Sequence, residues 1–187
     1  MISIEHIYFS YGEKKVFEDF SLNIKSGDRI CLFGESGCGK TTLLRIIAGL
    51  CVPDVGTVKR AESFRPSKVF QENLLLPFKT VLQNITLTGA EKSDALAHLA
   101  ALGIAGCADK YPSELSGGMQ RRAAIARALS AEYSCLLLDE PFAGLDAQNI
   151  SSAAEHISKS LDGRTLILVT HDKSEAEMLG CRVVEIG

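Results

Sequence analysis

Two rhythms of apolar and polar residues run through the chain. Ile2 and Ile4 alternate with polar neighbours and lead into Ile7-Tyr8-Phe9, which predicts a strand over Ile2 to Phe9. Tyr11-Gly12 marks a turn, with Tyr11 placed in the loop just after that strand. Val16 to Ile24 alternates again through Phe20, Leu22 and Ile24 and stops at Ser26-Gly27-Asp28, so the chain opens as antiparallel β. The rhythm then changes. Arg29 to Phe33, Cys135 to Leu138 and Thr165 to Thr170 are nearly continuous apolar runs, as expected of strands buried on both faces. Gly56-Thr57-Val58 and Ser67 to Phe70 predict two short strands, and Cys181 to Ile186 a last one. Helical spacing predicts helices over Leu43 to Ala48, Thr80 to Thr88, Ser93 to Leu102 and Ala147 to Leu161, with a last helix over Lys173 to Gly180. Met119, Ala123, Ala126 and Leu129 share one helical face, so another helix begins near Gly117. Ala108 to Pro112 is a connector.

Leu74-Leu75-Leu76-Pro77-Phe78 fits neither rhythm. It is either subdomain core or a surface on which a partner docks, and the residues alone favour core. Arg121, Arg122 and Arg127 read as a solvated helix face. His6, His98 and His156 fall on surface-like positions and receive no role.

With 187 residues, 46% hydrophobic and 23% charged, the chain makes one domain, or one with a small subdomain, and can bury a sizeable core. A formal net charge of -3 gives no general basic surface for nucleic acid. Six scattered cysteines without a C-x-x-C pair suit a reducing compartment. No uncharged apolar run approaches the ~20 residues that span a bilayer. Met1 leads straight into strand-like sequence, so no signal peptide is expected.

The chemistry concentrates at Gly34-Glu35-Ser36-Gly37-Cys38-Gly39-Lys40-Thr41-Thr42, between a predicted strand and a predicted helix. Its spacing is that of a phosphate-binding loop, G-x-x-x-x-G-K-[ST]. Three glycines let the backbone turn several N–H groups toward one anion, and the helix adds its positive end. Lys40 supplies a mobile charge for the outer phosphates, and Thr41 a hydroxyl for Mg²⁺. The run from Cys135 ends in Asp139-Glu140, where acids at a strand's carboxyl end face ligand in an open α/β sheet. Asp139 suits a Mg²⁺ shell, and Glu140 can reach a water beyond the terminal phosphate. His171 ends the next buried strand at the same edge. The helix near Gly117 opens with Ser116-Gly117-Gly118, either a plain cap or a second bare helix tip suited to an anion. Tyr11 is either a turn tyrosine or a face on which adenine stacks.

Together these segments resemble the nucleotide-binding subunit of ATP-binding-cassette (ABC) transporters, over nearly the whole chain. The family's motifs stand in order: aromatic loop at Tyr11, Walker A at Gly34–Thr42, glutamine loop at Gln71, LSGG at Leu115–Gln120, Walker B at Leu136–Glu140, D-loop at Ala143–Asp146, switch histidine at His171. LSGG between the two Walker motifs is specific to this class. The resemblance implies an α/β P-loop ATPase fold, a mixed sheet core with a small antiparallel β-subdomain and an inserted helical subdomain. Residues 1–187 then form one ABC ATPase domain. The RecA-like core and β-subdomain take about 1–71 and 129–187, and the helical subdomain about 72–128.

The resemblance further implies ATP and Mg²⁺ as cofactors and hydrolysis of ATP to power transport. Two copies pack head to tail, each ATP lying between the Walker A loop of one (Gly34, Glu35, Ser36, Gly37, Cys38, Gly39, Lys40, Thr41, Thr42, with Tyr11 on the adenine) and Ser116, Gly117 and Gly118 of the other. Glu140 polarises water, His171 holds the γ-phosphate and water, and Gln71 senses Mg²⁺ beside Thr41 and Asp139 and links the site to the membrane partner. Asp146 organises the opposite subunit's site. The stretch from Val69 to Val81 is most similar to importers of nitrate, sulfonate, taurine and related solutes, which turns the leucine patch into a docking groove for a permease. Integral-membrane permease subunits and an extracytoplasmic solute-binding protein are the implied partners. The implied location is cytoplasmic, on the inner face of the cell membrane. The alternative is a soluble ABC-type ATPase acting as a mechanical switch without a permease. Two departures from the pattern stand out. The segment from Gly49 to Gln71 is short, so the β-subdomain is expected to lack a strand, and the sequence stops soon after His171, as in a minimal cassette.

Overall fold

The computed structural model describes residues 2–186. In chain order it contains β1 (Ile2–Tyr11), β2 (Lys14–Ile24), β3 (Arg29–Phe33), α1 (Lys40–Ile47), β4 (Val55–Arg60), β5 (Pro66–Val69), α2 (Val81–Thr86) and α3 (Lys92–Ala101). After two short 3₁₀ turns follow α4 (Gly117–Ser130), β6 (Cys135–Asp139), α5 (Ala147–Ser160), β7 (Thr165–Val169), α6 (Lys173–Met178) and β8 (Arg182–Glu185).

The antiparallel and parallel pairings separate into two sheets. One has three strands in the order β2-β1-β4, the other five in the order β5-β6-β7-β3-β8. Every pairing in the first is antiparallel and every pairing in the second parallel. Alternate side chains of a strand point to opposite faces, and here the two faces feed two cores. Cys31, Leu136, Leu138, Leu166 and Leu168 pack with α4 and α5 on one side. Ile30, Leu32, Leu137, Ile167 and Val169 pack on the other with Leu43, Leu44, Ile46 and Ile47 of α1 and with Ile2, Ile4, Ile7 and Phe9 of the small sheet. This explains the unbroken apolar runs: β6 and β7 are buried at every position.

The β1–β2 register shifts three times between Ile4 and Ser10. Left-handed backbone at His6 (φ 50) and Asp19 (φ 56) accompanies the shifts, as at bulges that bend a strand. Tyr11 closes β1, paired with Lys14, and is not in the following loop. Its ring meets that of Phe9 edge-on, centroids 4.9 Å apart.

The leucine-rich segment before α2 is not core. Leu74, Leu76 and Phe78 are 58%, 37% and 69% exposed, and only Leu75 packs inward. The reason lies beneath it. Buried Asn84 accepts from Leu76 N (2.7 Å) and donates to the carbonyls of Leu76, Lys79 and Thr80. The inner side of the segment is thus taken by backbone bonded to an amide, and the apolar side chains turn out.

Candidate functional site

β3 ends at Phe33 and α1 begins at Lys40, so the glycine-rich loop sits at the carboxyl edge of the parallel sheet. Gly39 has φ 107, and a Cβ there would lie 2.6 Å from Val16 Cγ1 and 2.9 Å from Phe17 Cζ. A Cβ on Gly34 would lie 2.2 Å from the carbonyl oxygen of Ile186. Both positions need glycine for space, and Gly39 also for its backbone angle. Lys40 Nζ reaches back into the loop and donates to the carbonyls of Gly34 (2.8 Å) and Glu35 (2.7 Å). Cys38 donates its N–H to Glu35 O, which closes the turn.

A cleft of about 300 Å³ opens above this loop. It brings together Tyr11, Ser36, Gly37, Gly39, Lys40, Thr41, Thr42, Gln71, Asp139 and Glu140. Gly34, Glu35 and Cys38 shape the loop without lining the cleft. Lys14 and Val16 join the wall beside Tyr11. Neither stands out in the sequence as a ligand group, although Lys14 follows Tyr11 closely across the turn.

Asp139 and Val169 are paired at the ends of β6 and β7, so the residues that follow arrive side by side. Asp139 is 1% exposed and its Oδ2 has no hydrogen-bond partner among the described residues. Burial pushes its carboxyl above the ordinary range, and the neighbouring Thr41 hydroxyl offsets this in part. An orphaned buried carboxylate oxygen next to a threonine hydroxyl is a donor set that fits a hard divalent cation. Glu140 adopts φ 49, uncommon for a residue with a side chain. Its N–H donates to Val169 O at 2.9 Å, and its carboxylate accepts from His171 Nδ1. That bond raises the imidazole pKa above its ordinary value.

A second cleft, about 550 Å³, lies at the tip of α4. Ser116 caps the helix, its Oγ accepting from Met119 N at 3.3 Å. Gly117 and Gly118 face the turn Gly144 to Asp146 across the opening. A Cβ on Gly118 would stand 3.3 Å from Gly144 O, so its glycine keeps the helix tip close to that turn. Asp146 caps α5, accepting from Asn149 N (2.9 Å) and Nδ2 (2.6 Å), bonds that hold its carboxyl below the usual range. Gln71 lines both clefts.

The arginines of α4 are not a solvated face. Arg121 is 2% exposed and bonds backbone carbonyls on two separate loops. Arg122 donates to Leu102 O (3.0 Å) and Asn149 Oδ1 (2.9 Å). Arg127 donates to Leu74 O (2.8 Å) and Asn73 O (3.2 Å). The helix is apolar nearly all round, with Ala123, Ala124, Ile125, Ala126, Ala128 and Leu129 buried. Such a helix has no outer face for a guanidinium to occupy. His98 and His156 are also not simple surface residues. Both are half-buried, and His98 Nδ1 lies 2.8 Å from His156 Nε2 across α3 and α5. His6 is exposed, as expected, and pairs with Asp19.

A parallel sheet with a glycine loop, a lysine and a buried aspartate at its carboxyl edge defines a P-loop nucleotide-binding ATPase. A family model described as ABC transporter matches residues 17–143. The aliphatic sulfonates import ATP-binding protein SsuB 3 of Paraburkholderia xenovorans is 43% identical over 98% of this chain and 75% of its own length. The nitrate import ATP-binding protein NrtC of Synechococcus elongatus is 38% identical over 98% of this chain and 31% of its own length. The dimeric structure of MJ0796, a bacterial ABC transporter cassette, superposes with a TM-score of 0.89 at 30% identity, covering 100% of this chain and 94% of that one. The same cassette is similar in a post-hydrolysis state bound to ADP and Pi, with a TM-score of 0.88. The chain belongs to the ABC transporter family, as an ATP-binding cassette of that family. Among the described residues, no helix is long and apolar enough to cross a membrane.

Proposed function

We propose that this chain is the ATP-hydrolysing subunit of a membrane importer of small solutes, working as a head-to-tail pair on the cytoplasmic face of the membrane. The observation that carries this reading is the division of the chemistry between two clefts. The glycine loop and acidic strand ends occupy one, the bare tip of α4 the other, and among the described residues only Gln71 belongs to both. A triphosphate seated on the loop of one copy meets Ser116, Gly117 and Gly118 of the second. Two helix N-termini then face one anion.

In this reading Tyr11 stacks on adenine, Lys40 leaves the Gly34 and Glu35 carbonyls for the outer phosphates, and Glu140 orients the attacking water. Positioning and charge neutralisation are most of what phosphoryl transfer asks of a protein. His171 holds Glu140 and the γ-phosphate in register. Asp146 organises the facing subunit's site through the turn it ends. Thr41, Asp139 and Gln71 would hold Mg²⁺, which when bound neutralises phosphate charge. Loss of the γ-phosphate removes the bridge between copies, which makes the pair a ligand-controlled switch.

The helices between about 72 and 128 form the inserted subdomain, and the rest the core with its β-subdomain. Leu74, Leu76 and Phe78 supply the apolar face that a permease would cover. The permease and an extracytoplasmic binding protein select the solute. The test is affinity purification of the tagged chain from solubilised membranes, with identification of what accompanies it. An integral-membrane subunit whose presence raises ATP turnover supports the reading. Ribosomal or nucleic-acid partners, with none from the membrane, would overturn it in favour of a soluble switch.

A further inference from the structure

We infer that Arg121 is a positioning residue for hydrolysis, one that fixes the Glu140 turn and the Gln71 loop to the helix whose tip carries Ser116. A guanidinium has five N–H donors in a planar fork and accepts nothing. Here all three of its nitrogens are engaged. Nε donates to Pro141 O (3.1 Å) and Nη2 to Asp139 O (2.8 Å) and Glu140 O. Nη1 donates to Phe70 O, Gln71 O (3.2 Å) and Asn73 Oδ1 (3.2 Å). The acceptors thus fall on two loops that leave paired strands, β5 and β6. One side chain holds the spacing between them.

Burying a charge is costly, and filling the same volume needs only an apolar side chain. What the charge adds is direction. Glu140 has left-handed backbone (φ 49), which persists only where the surroundings over-determine it. Its N–H is bound to Val169 O and its carbonyl to Arg121, so both neighbouring peptides are clamped. That clamp aims the carboxylate at His171. Arg127, six residues further along the same helix, holds Asn73 O and Leu74 O. The loop from Phe70 to Leu74 is therefore fastened along α4, and Leu74 begins the exposed apolar segment. A shift of that segment reaches Glu140 through Arg121.

This inference rests on the proposed role of Glu140, and the test separates the two. ATP turnover and nucleotide affinity are measured on the purified full chain with Mg-ATP for wild type, Glu140→Gln and Arg121→Lys. Lysine keeps the charge but cannot span both loops as a fork does. Arg121→Lys is expected to lower kcat by about tenfold or more with KM for ATP held within about twofold. Amide exchange at Phe70–Asn73 and Glu140–Phe142 should quicken together. Unchanged kcat in folded Arg121→Lys, beside an inactive Glu140→Gln, overturns this inference alone. Full turnover in Glu140→Gln overturns the site reading and this inference with it. A fall in kcat matched by an equal loss of ATP affinity also overturns the inference, since it marks general damage. If Arg121→Lys does not fold, Asn73→Ala removes one partner of the fork from the loop side. It is expected to lower kcat about two- to fivefold at constant KM, and no change in kcat overturns the inference.

Discussion

His171 Nδ1 lies 2.9 Å from Oε2 and 3.1 Å from Oε1 of Glu140, which joins the residues that follow two adjacent strand ends. A carboxylate can only accept, so the ring nitrogen donates and the proton is held on the histidine side. The two residues are 31 apart in sequence, and the parallel register of β6 and β7 brings them together.

The pair should be visible in a titration. The carboxylate favours the imidazolium, so the folded pKa of His171 is raised above its ordinary 6.5. The attraction is fully present below the ordinary value and disappears as pH climbs through the raised one. An NMR titration should place the His171 midpoint above that of an ordinary histidine, and Glu140→Gln should bring it back down. An unaltered midpoint in Glu140→Gln would contradict the contact.

Glu140→Gln keeps the side-chain shape and removes the charge proposed to orient water. Turnover should fall by about a hundredfold or more while ATP still binds, the range seen when a positioned general base is lost. The ATP-bound dimer should then accumulate. Size-exclusion chromatography in Mg-ATP is the check, and a monomer under those conditions would count against the sandwich.

Lys40→Ala removes a charged donor from the centre of the glycine loop. Charge-assisted hydrogen bonds contribute roughly 1.5–3 kcal/mol each, so ATP affinity should drop about ten- to a hundredfold or more. Calorimetric titration with ATP measures this directly, and equal affinity would exclude Lys40 from phosphate binding.

Asn84→Ala addresses the apolar segment. The amide is 2% exposed and serves four backbone groups between Leu76 and Thr80. Leaving buried backbone groups unpaired should destabilise the fold by about 1–3 kcal/mol, read from the urea midpoint. The same variant should loosen Leu74 to Phe78, seen as faster amide exchange there than in the strands.

The sequence carried the glycine loop, the acidic strand end and the bare helix tip because each depends on residues close together in the chain. The buried runs of β6 and β7 were equally plain, since burial on both faces leaves no polar rhythm. Arg121 was misread for the opposite reason. All but one of its acceptors, Asn73 Oδ1, are backbone carbonyls 18 to 51 residues away, and carbonyls carry no side-chain signature. The helix did give a clue, since four alanines with Ile125 and Leu129 leave few sides open for a guanidinium except inside. His98 and His156, 58 residues apart, meet only through the packing of α3 on α5. The outward turn of Leu74, Leu76 and Phe78 depended on Asn84, whose role a hydrophobicity pattern does not record.

The two clefts on one chain imply a form of complementation. In the proposed head-to-tail pair each copy would lend its glycine loop to one nucleotide and its α4 tip to the other. A copy crippled at Lys40 and a copy crippled at Ser116, each useless with its own kind, would when mixed place both injuries in the same sandwich and leave the other whole.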